Sequence, residues 1–262
     1  MPTREGLQLQ GQVAIVTGAS RGIGRAIAQG FAAQGAAVVV AARSQTPAAQ
    51  GLPGTIHETV ALIEASGGRA LAVPCDVTDE ASVREMVSRA VEAFGGVDIL
   101  VNNAGVAFGR ALMDTPPKRW DLVLKVNLTG AFLCSQAVLP HMIRRGGGSI
   151  INISSLAANE RAEGLVKTGV AYAVAKAGLD RLTWGLASEA GRHGVAVNAL
   201  KPLEVVDSEG MRFWSSEDQR QDWTSPEHMV ACAIFLARQR AGAVTGTVAT
   251  DEEYLAGHGL QI

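Results

Sequence analysis

A glycine-rich turn between an apolar segment and a helical pattern is the feature that most constrains how this chain can fold. Residues 13–16 are apolar and mostly β-branched, as in a strand that is buried on both faces. They lead into a glycine-rich turn over residues 17–24 and then into a helical pattern over residues 25–34. Glycine lets the backbone approach a phosphate, while the free N–H groups and the dipole of the helix point at it. This order of elements favours a dinucleotide site over an ordinary tight turn.

The residues beyond the turn bear on the type of dinucleotide. A second apolar strand over residues 36–42 ends at Arg43, near the position that contacts the ribose in dinucleotide folds. No acid lies between the turn and Glu58, so no carboxylate is available there to accept a ribose 2′-hydroxyl. A guanidinium suits a 2′-phosphate. Arg43, helped by Ser44 and by Arg21 of the turn, therefore predicts NADP(H), with NAD(H) as the alternative. The competing interpretation is that both arginines are solvated surface residues.

Strand-like and helical segments alternate along the rest of the chain. Further strands are predicted over residues 70–74, 97–101, 149–154, 195–200 and 244–249. Alternation at this spacing is typical of a parallel sheet with helices on both faces, in which ligands bind at the carboxyl ends of the strands. We therefore predict one α/β domain over residues 1–262.

Composition excludes several classes of function. The net charge is −2 and no basic cluster extends beyond Arg144-Arg145, so a nucleic acid partner is not expected. The polar N-terminus and the absence of a long uninterrupted apolar run predict a cytoplasmic protein with no membrane partner. Three widely spaced cysteines (Cys75, Cys134 and Cys232) indicate a reducing compartment, and the five histidines lack metal-ligand spacing, so no metal site is predicted.

Tyr172 and Lys176 are four residues apart, which places them on one face of a helix. An ammonium about 5 Å from a phenol, at an effective dielectric near 20, stabilises the phenolate by about 3 kcal/mol. That is roughly two pKa units, so the pKa of Tyr172 should move from about 10 toward neutrality. Such a tyrosine can give or take a proton at working pH. Many helices carry such a pair by chance, so its meaning depends on the other motifs.

Six motifs together make the chain resemble the short-chain dehydrogenase/reductase family in its classical form. They are Thr17-Gly18-x-x-x-Gly22-x-Gly24, Asp76-Val77, Asn102-Asn103-Ala104-Gly105, Asn127, Ser155 and Tyr172-x-x-x-Lys176. The motifs follow the order of the family and cover roughly residues 10 to 200. The resemblance implies a single-domain Rossmann-type fold, a doubly wound parallel sheet of about seven strands.

The resemblance also implies the residues of the site. Tyr172 would be the general acid and base, Ser155 would orient the substrate oxygen, and Asn127 would hold a water of a proton relay. Lys176 would bind the nicotinamide ribose and lower the pKa of Tyr172, and Ser154 is an alternative to Ser155. The implied cofactor contacts are Gly18, Ser20, Arg21, Gly22, Ile23, Gly24, Arg43, Ser44, Asp76, Val77, Asn103, Ala104, Gly105, Tyr172, Lys176, Pro202 and Val205.

The chain departs from the family pattern near the expected substrate pocket. Sixteen residues separate Ser155 from Tyr172, a few more than is usual in the family, so a substrate loop is expected over about residues 156–171. Leu203 stands where the family usually has glycine, which makes the Val205 contact less secure. A partly helical lid with several aromatic residues is expected over about residues 203–224, and packing of the same residues against a neighbouring subunit is the alternative.

The C-terminus is a further departure. Residues 250–254 are acidic where the family commonly has an Asp-Gly-Gly turn, a region that often forms a subunit contact there. We consider that this acidic segment reaches the site of a neighbouring subunit.

The sequence thus predicts an NADP(H)-dependent oxidoreductase that transfers a hydride between the nicotinamide and a ketone or secondary alcohol, as a homotetramer or homodimer. Two alternatives stay open. One is a redox-silent NADP-binding sensor or scaffold, and the other is a cofactor-assisted isomerase or lyase that uses Tyr172 for proton transfer.

Overall fold

Seven strands form one parallel sheet in the computed structural model, which describes residues 7–47, 51–159, 168–214 and 216–262. The strands are β1 (Val13–Thr17), β2 (Ala37–Ala42), β3 (Arg69–Pro74), β4 (Ile99–Asn102), β5 (Gly148–Ile153), β6 (Val195–Lys201) and β7 (Val248–Thr250). Their order in the sheet is β3-β2-β1-β4-β5-β6-β7, and every neighbouring pair is parallel. The predicted Rossmann-type doubly wound sheet is confirmed.

Helices cover both faces of the sheet. They are α1 (Gly22–Ala33), α2 (Ile56–Ala65), α3 (Glu80–Phe94), α4 (Pro117–Leu124), α5 (Gly130–Arg144), α6 (Val170–Gly191), α7 (Glu209–Trp214), α8 (Glu227–Ala237) and α9 (Asp251–His258). One hydrophobic cluster joins α1 and α8 to the sheet through Phe31 and Met229. A second joins α3 and α5 to the opposite face through Met86 and Val138. Burial on both faces explains why the strands are almost continuously apolar.

The strand order places the candidate site. It reverses between β1 and β4, because β2 and β3 extend the sheet on one side of β1 and β4 to β7 extend it on the other. Ligands in such sheets bind beyond the carboxyl ends of the strands, at this reversal point. The residues that follow β1, β4 and β5 all lie at that edge.

The last strand is shorter than predicted. The segment 244–249 was expected to form it, but β7 begins only at Val248. Before it, side chains contribute to the pairing with β6 besides the backbone. Thr245 Oγ1 accepts the N–H of Val197 at 3.0 Å and Asn198 Nδ2 donates to Val244 O at 3.0 Å, while the Gly246 N–H donates to Val197 O at 2.8 Å. These bonds to β6 delay regular pairing by several residues.

The acidic C-terminal segment forms the start of the helix α9. Thr250 and Glu253 form a capping box at the start of α9, where acidic residues stabilise a helix N-terminus. Tyr254 is 1% exposed and its hydroxyl donates to Ala199 O at 3.1 Å. The buried residues of α9 are Asp251 and Tyr254, and the contact of this segment with a neighbouring site stays a prediction.

A long helix, Pro117–Arg144, has the length and mean hydropathy of a membrane-spanning segment. We expected no such segment, because the sequence has no uninterrupted apolar run that is long enough to span a membrane. This helix is an exception to that expectation by length and composition. Its buried residues include Val126, Cys134 and Val138, which pack in the cluster beneath the sheet. Core packing accounts for part of its apolar composition.

Candidate active site

A cavity of about 330 Å³ lies at the carboxyl edge of the sheet. It is lined by twelve of the predicted cofactor contacts, namely Gly18, Ser20, Arg21, Ile23, Gly24, Arg43, Ser44, Asp76, Val77, Asn103, Ala104 and Gly105. It is also lined by residues that the sequence did not single out, namely Ala42, Leu52, Cys75, Val106, Val126, Ser208 and Gly210. The turns after β1, β2, β3 and β4 thus meet around one space, as the topology requires.

Hydrogen bonds between the ends of β1 and β4 form the floor of the cavity. Thr17 Oγ1 donates to Val101 O at 3.1 Å and accepts the N–H groups of Asn103 and Ala104 at 3.0 and 3.1 Å. Asn103 Nδ2 donates to Thr17 O at 2.8 Å. Gly18 has φ +66°, and a Cβ there would lie 2.8 Å from Ala104 Cα, so no larger residue fits. The structure thus shows how the Asn-Asn-Ala-Gly turn supports the sheet.

The N-terminus of α1 holds an anionic group. Glu209 of α7 accepts the N–H of Gly22 at 2.7 Å through Oε2, and its Oε1 accepts from Arg25 Nη1 at 2.8 Å. Arg21, the residue before the helix, gives no side-chain cap. Carboxylate and phosphate oxygens are both stabilised by helix N-termini, so this position fits the pyrophosphate of a dinucleotide. Sequence reasoning missed Glu209, because 187 residues separate it from Gly22 and no local pattern connects them.

Asp76 lies in the part of the cavity that follows β3. Its Oδ1 accepts from the backbone N–H and the hydroxyl of Thr78 at 2.9 and 2.8 Å. Burial favours the neutral acid, but the Thr78 hydrogen bonds and the charges of Arg43 and Lys125 outweigh it and lower the pKa of Asp76. Asp79 caps α3, since its Oδ1 accepts the N–H of Ala81 at 3.0 Å. Asp76 is therefore ionised at neutral pH.

The two arginines of the predicted phosphate contact differ in their surroundings. The Arg21 guanidinium donates to Pro53 O at 2.6 Å, to Gly54 O at 2.8 Å and to Ser44 Oγ at 3.2 Å. It therefore ties the loop before α2 to the glycine-rich turn. Arg43 is exposed at the rim of the cavity and makes no hydrogen bond within the described ranges of the chain. Arg43 is the guanidinium whose donors are available to a ligand.

Three of the predicted catalytic residues meet between α6 and the end of β5. A hydrogen bond joins Tyr172 to Ser155. Lys176 Nζ donates to Ile153 O at 2.7 Å and lies 5.5 Å from the centroid of the Tyr172 ring. Ser155 Oγ also accepts the N–H of Ala157 at 3.2 Å, which fixes the serine at the start of a 3₁₀ turn, Leu156–Ala158. Ser155, Tyr172 and Lys176 are thus assembled as the resemblance implies.

The protonation of this cluster differs from the sequence prediction. Burial raises the pKa of Tyr172, and the hydrogen bond with Ser155 offsets this only in part. The expectation that Lys176 brings the pKa of Tyr172 toward neutrality is wrong for this structure, because desolvation of the phenolate outweighs its stabilisation. Burial also lowers the pKa of Lys176 to about 8, while Asp180 opposes that change. At neutral pH the site therefore holds a phenol beside an ammonium.

Asn127 lies in a π-helical turn, Lys125–Thr129, between α4 and α5. Its Nδ2 donates to Val106 O at 2.7 Å and to Val123 O at 2.8 Å. Its Oδ1 is buried and has no hydrogen-bond partner among the described residues. A buried unpaired oxygen of this kind is a position for an ordered water. The side chain therefore supports the bent turn and also offers an acceptor, as the predicted proton relay needs.

Ser154 and Ser155 have different surroundings. Ser154 is 3% exposed, and its hydroxyl donates to Asp180 Oδ1 at 2.5 Å. Only Ser155 contacts Tyr172 through its hydroxyl in the described structure. The alternative in which Ser154 replaces Ser155 is therefore disfavoured.

The structure does not bring every predicted cofactor contact into the cavity. Gly22, Tyr172, Lys176, Pro202 and Val205 are not among its lining residues. Gly22 instead contacts Glu209 through its backbone, and Tyr172 and Lys176 form the catalytic cluster described above.

Leu203 and Val205 are held by other parts of the chain. The Leu203 N–H donates to Asp251 Oδ1 at 2.9 Å, and Val205 O accepts from the Thr224 N–H at 3.0 Å. Asp251 of α9 thus supports the segment in which leucine replaces the usual glycine.

The lid and the substrate loop are described in part. Within the expected lid, α7 and a 3₁₀ turn (Glu217–Arg220) confirm the partly helical prediction. Met211 and Phe213 of α7 are 39% and 49% exposed. Residues 160–167 of the expected substrate loop lie outside the described residues.

Comparison with known proteins gives consistent results. A family described as short chain dehydrogenase matches residues 12–218. The chain is 40% identical over 251 residues to the short-chain reductase protein NovJ of Streptomyces niveus, a match that covers 90% of this chain and 91% of NovJ. It is 38% identical over 255 residues to hydroxysteroid dehydrogenase-like protein 2 of Danio rerio, covering 97% of this chain and 60% of that protein. A solved 7α-hydroxysteroid dehydrogenase, complexed with NADH and 7-oxo glycochenodeoxycholic acid, superposes with a TM-score of 0.82 at 30% identity, covering 95% of this chain and 96% of that one.

Proposed function

Because the chain belongs to the short-chain dehydrogenase/reductase family, we propose that it is an NADP(H)-dependent oxidoreductase that interconverts a ketone and a secondary alcohol. The observation that carries the proposal is the cluster of Ser155, Tyr172 and Lys176 beside a cavity suited to a dinucleotide. This combination supports proton transfer to or from a substrate oxygen.

The chain's own residues provide the proton transfer. The nicotinamide cofactor, when bound, supplies a hydride to the carbonyl carbon or accepts one from the alcohol carbon. In reduction, Tyr172 Oη gives its proton to the carbonyl oxygen while Ser155 orients that oxygen and stabilises its developing charge. The Lys176 ammonium stabilises the phenolate that remains, and a water on Asn127 Oδ1 passes a proton back toward it. In oxidation each proton moves in the opposite direction.

The protonation state favours reduction at neutral pH. Burial raises the pKa of Tyr172, so the residue is a phenol and is ready to act as the acid. Oxidation requires the phenolate and should become faster only at higher pH. We therefore propose that carbonyl reduction is the faster direction near pH 7.

The preference for NADP rests on the ribose edge of the cavity. Arg43 presents an exposed guanidinium there, and Asp76 is the only acid among the described residues that line the cavity. A guanidinium favours a 2′-phosphate, whereas discrimination for NAD needs an acid on the 2′-hydroxyl. The structural relative that holds NADH shows that a similar fold also takes the non-phosphorylated cofactor. The choice therefore depends on Arg43.

We further propose that the protein forms a homodimer or homotetramer through α5 and α6. Phe132, Val174 and Trp184 of these helices are 45%, 43% and 48% exposed. Large apolar side chains with this exposure are typical of an interface. Light scattering coupled to gel filtration measures the molar mass, and a monomer at micromolar concentration would contradict the proposal. The cytoplasmic location stays a prediction.

The direct test measures cofactor consumption with a panel of ketones and secondary alcohols, using NADPH, NADH and their oxidised forms. We expect turnover with the wild type and a loss of at least about a hundredfold in Tyr172→Phe, with cofactor binding retained. Tyr254→Phe is the matched control, because Tyr254 is the second of the two tyrosines and lies buried in α9. It should keep its activity.

Three results would contradict the proposal in different ways. Full activity of Tyr172→Phe would exclude its role as acid and base. Tight NADPH binding without turnover across the panel would favour the sensor or scaffold. Product formation without net cofactor consumption would favour the isomerase or lyase.

A further inference from the structure

The face of α6 that carries Tyr172 and Lys176 continues for one more turn to Asp180. Residues spaced by four lie one above another on a helix. Each of these three side chains contacts a different residue at the end of β5. Tyr172 is bonded to Ser155, Lys176 Nζ to Ile153 O at 2.7 Å, and Asp180 Oδ1 to Ser154 Oγ at 2.5 Å. Asp180 is therefore a third connection between the catalytic helix and the strand that carries the catalytic serine.

Asp180 is also one half of a buried ion pair. Its Oδ2 lies 2.8 Å from Lys201 Nζ, and both residues are 5% exposed. Lys201 is the last residue of β6, and its Nζ also donates to Asn159 Oδ1 at 2.8 Å. Asn159 begins the part of the substrate loop that follows the 3₁₀ turn after Ser155. The pair therefore joins α6, β5, β6 and the base of the loop.

A buried ion pair adds little net stability compared with apolar residues of similar size, because both charges lose their hydration. Its more useful property is that it fixes positions, because each buried polar atom needs a hydrogen-bond partner in a particular direction. Both oxygens of Asp180 and the ammonium of Lys201 have such partners. The arrangement is thus suited to fix geometry.

We propose that Asp180 and Lys201 are positioning residues for the proton-transfer step. They hold the Ser155 hydroxyl in position beside Tyr172, and their charges act on the Lys176 ammonium. They also fix the start of the substrate loop at Asn159. This inference rests on the proposed function for its catalytic consequence. The arrangement of the pair itself can be tested without turnover.

The pair should act on Lys176 through charges of opposite sign. The charged and titratable groups that face Lys176 in the described structure are Tyr172 and Asp180 on α6 and, beyond Asp180, Lys201 on β6. The contacts from β5 are neutral. Loss of the Asp180 charge should make the Lys176 ammonium easier to deprotonate, and loss of the Lys201 charge should make it harder. A change that only lowered the stability of the fold would not give opposite signs.

The experiment follows Lys176 by NMR in the full chain, with carbon-13 at the lysine ε position. The chain has five lysines, namely Lys118, Lys125, Lys167, Lys176 and Lys201. Lys176→Arg assigns the signal. We expect the titration midpoint of Lys176 to fall by about one pH unit in Asp180→Asn and to rise in Lys201→Met, because a charge one helical turn away acts at this scale.

Kinetics connect the titration to catalysis. In reduction, the alkaline limb of the kcat profile should move with the Lys176 midpoint, downward in Asp180→Asn and upward in Lys201→Met. The kcat of each variant should fall about ten- to a hundredfold, because a small displacement of reacting groups is costly. The Kd for NADPH should change less than twofold in both. Lys201→Arg keeps the charge and should restore the wild-type profile.

A matched control uses another ion pair of the same chain. Asp98 precedes β4 at the amino edge of the sheet, and its Oδ1 lies 2.6 Å from Arg145 Nε. Asp98→Asn should lower the melting temperature and leave both the Lys176 midpoint and the alkaline limb in place. This variant distinguishes the effect of a less stable fold from the effect of displaced side chains at the site.

The outcomes are distinguishable. Midpoints that do not move, or that move in the same direction in both single variants, would overturn the inference. If either single variant does not fold, the double variant Asp180→Asn/Lys201→Met removes both charges, and wild-type kcat and KM in it would overturn the positioning role. A wild type without turnover would refute the proposed function alone, since the NMR titration still decides whether the pair sets the charge of Lys176.

Discussion

Glu209→Gln should increase the affinity for the cofactor. Glu209 places a carboxylate on the N–H of Gly22 and on Arg25, at the helix N-terminus where the pyrophosphate of a dinucleotide is expected. Two anions cannot share one N–H, so a pyrophosphate bound at this N–H would displace Glu209 and move α7. Glutamine has the same size but no charge, which weakens the contact in the free protein without altering the cavity.

The size of the effect follows from the exposure of the pair. The side chains of Arg25 and Glu209 are 18% and 29% exposed, so solvent screens the ion pair in part. We take about 1 kcal/mol for the charge-dependent part of the contact. This value lies between that of a surface ion pair and that of a buried hydrogen bond to a charged group. The cofactor no longer has to break that interaction in the variant. The Kd should therefore fall about fivefold.

The assay is a fluorescence titration with NADPH at low and high salt. The wild type and the variant should differ most at low salt, because screening weakens the Glu209 contact at high salt. Glu204→Gln is the control, since Glu204 is an exposed residue of the same lid segment. An unchanged or higher Kd in Glu209→Gln would refute the competition between Glu209 and the cofactor.

Two further predictions concern the cavity. Arg43→Asp should lower the ratio of kcat/KM for NADPH to that for NADH by about ten- to a hundredfold, because a charged hydrogen bond is replaced by repulsion; an unchanged ratio would show that Arg43 does not contact the phosphate. Cys75 lines the cavity and burial raises the pKa of its thiol to about 11, so Ellman's reagent at pH 8 should label it slowly, and more slowly still with NADPH bound. Fast labelling of Cys75, located by mass spectrometry, would contradict this.

Local patterns were sufficient to predict most of the cofactor cavity. The glycine-rich turn, Arg43 and Asp76 each follow a buried strand, and parallel strands bring such positions to one edge. Helical spacing placed Tyr172 and Lys176 on one face of a helix, and their roles were predicted from the resemblance to the family. These features depend on short-range sequence and on the topology, both of which can be inferred from patterns of hydrophobic residues.

Contacts between distant segments could not be predicted in the same way. Glu209, Asp251 and Lys201 act through partners that the sequence does not connect to them. Asp180 did carry a signal, because it lies one turn beyond Lys176 on the same face of α6. The pKa of Tyr172 was mispredicted because spacing reveals the nearby charge but not the burial that opposes it.

Asn127 lies in a π-helical turn, and for this reason the number of residues in the helix matters for the fold as much as their types. A π turn is equivalent to one extra residue in an α-helix, and each residue rotates the helix by about 100°. Deleting one residue from Lys125–Thr129 would convert the π turn to α-helix and rotate α4 by that angle relative to α5. Val123 would then leave its cluster with Ala171 and Ala175, beside Tyr172. Single-residue deletions should therefore be tolerated in the loops around this helix and excluded from the turn itself.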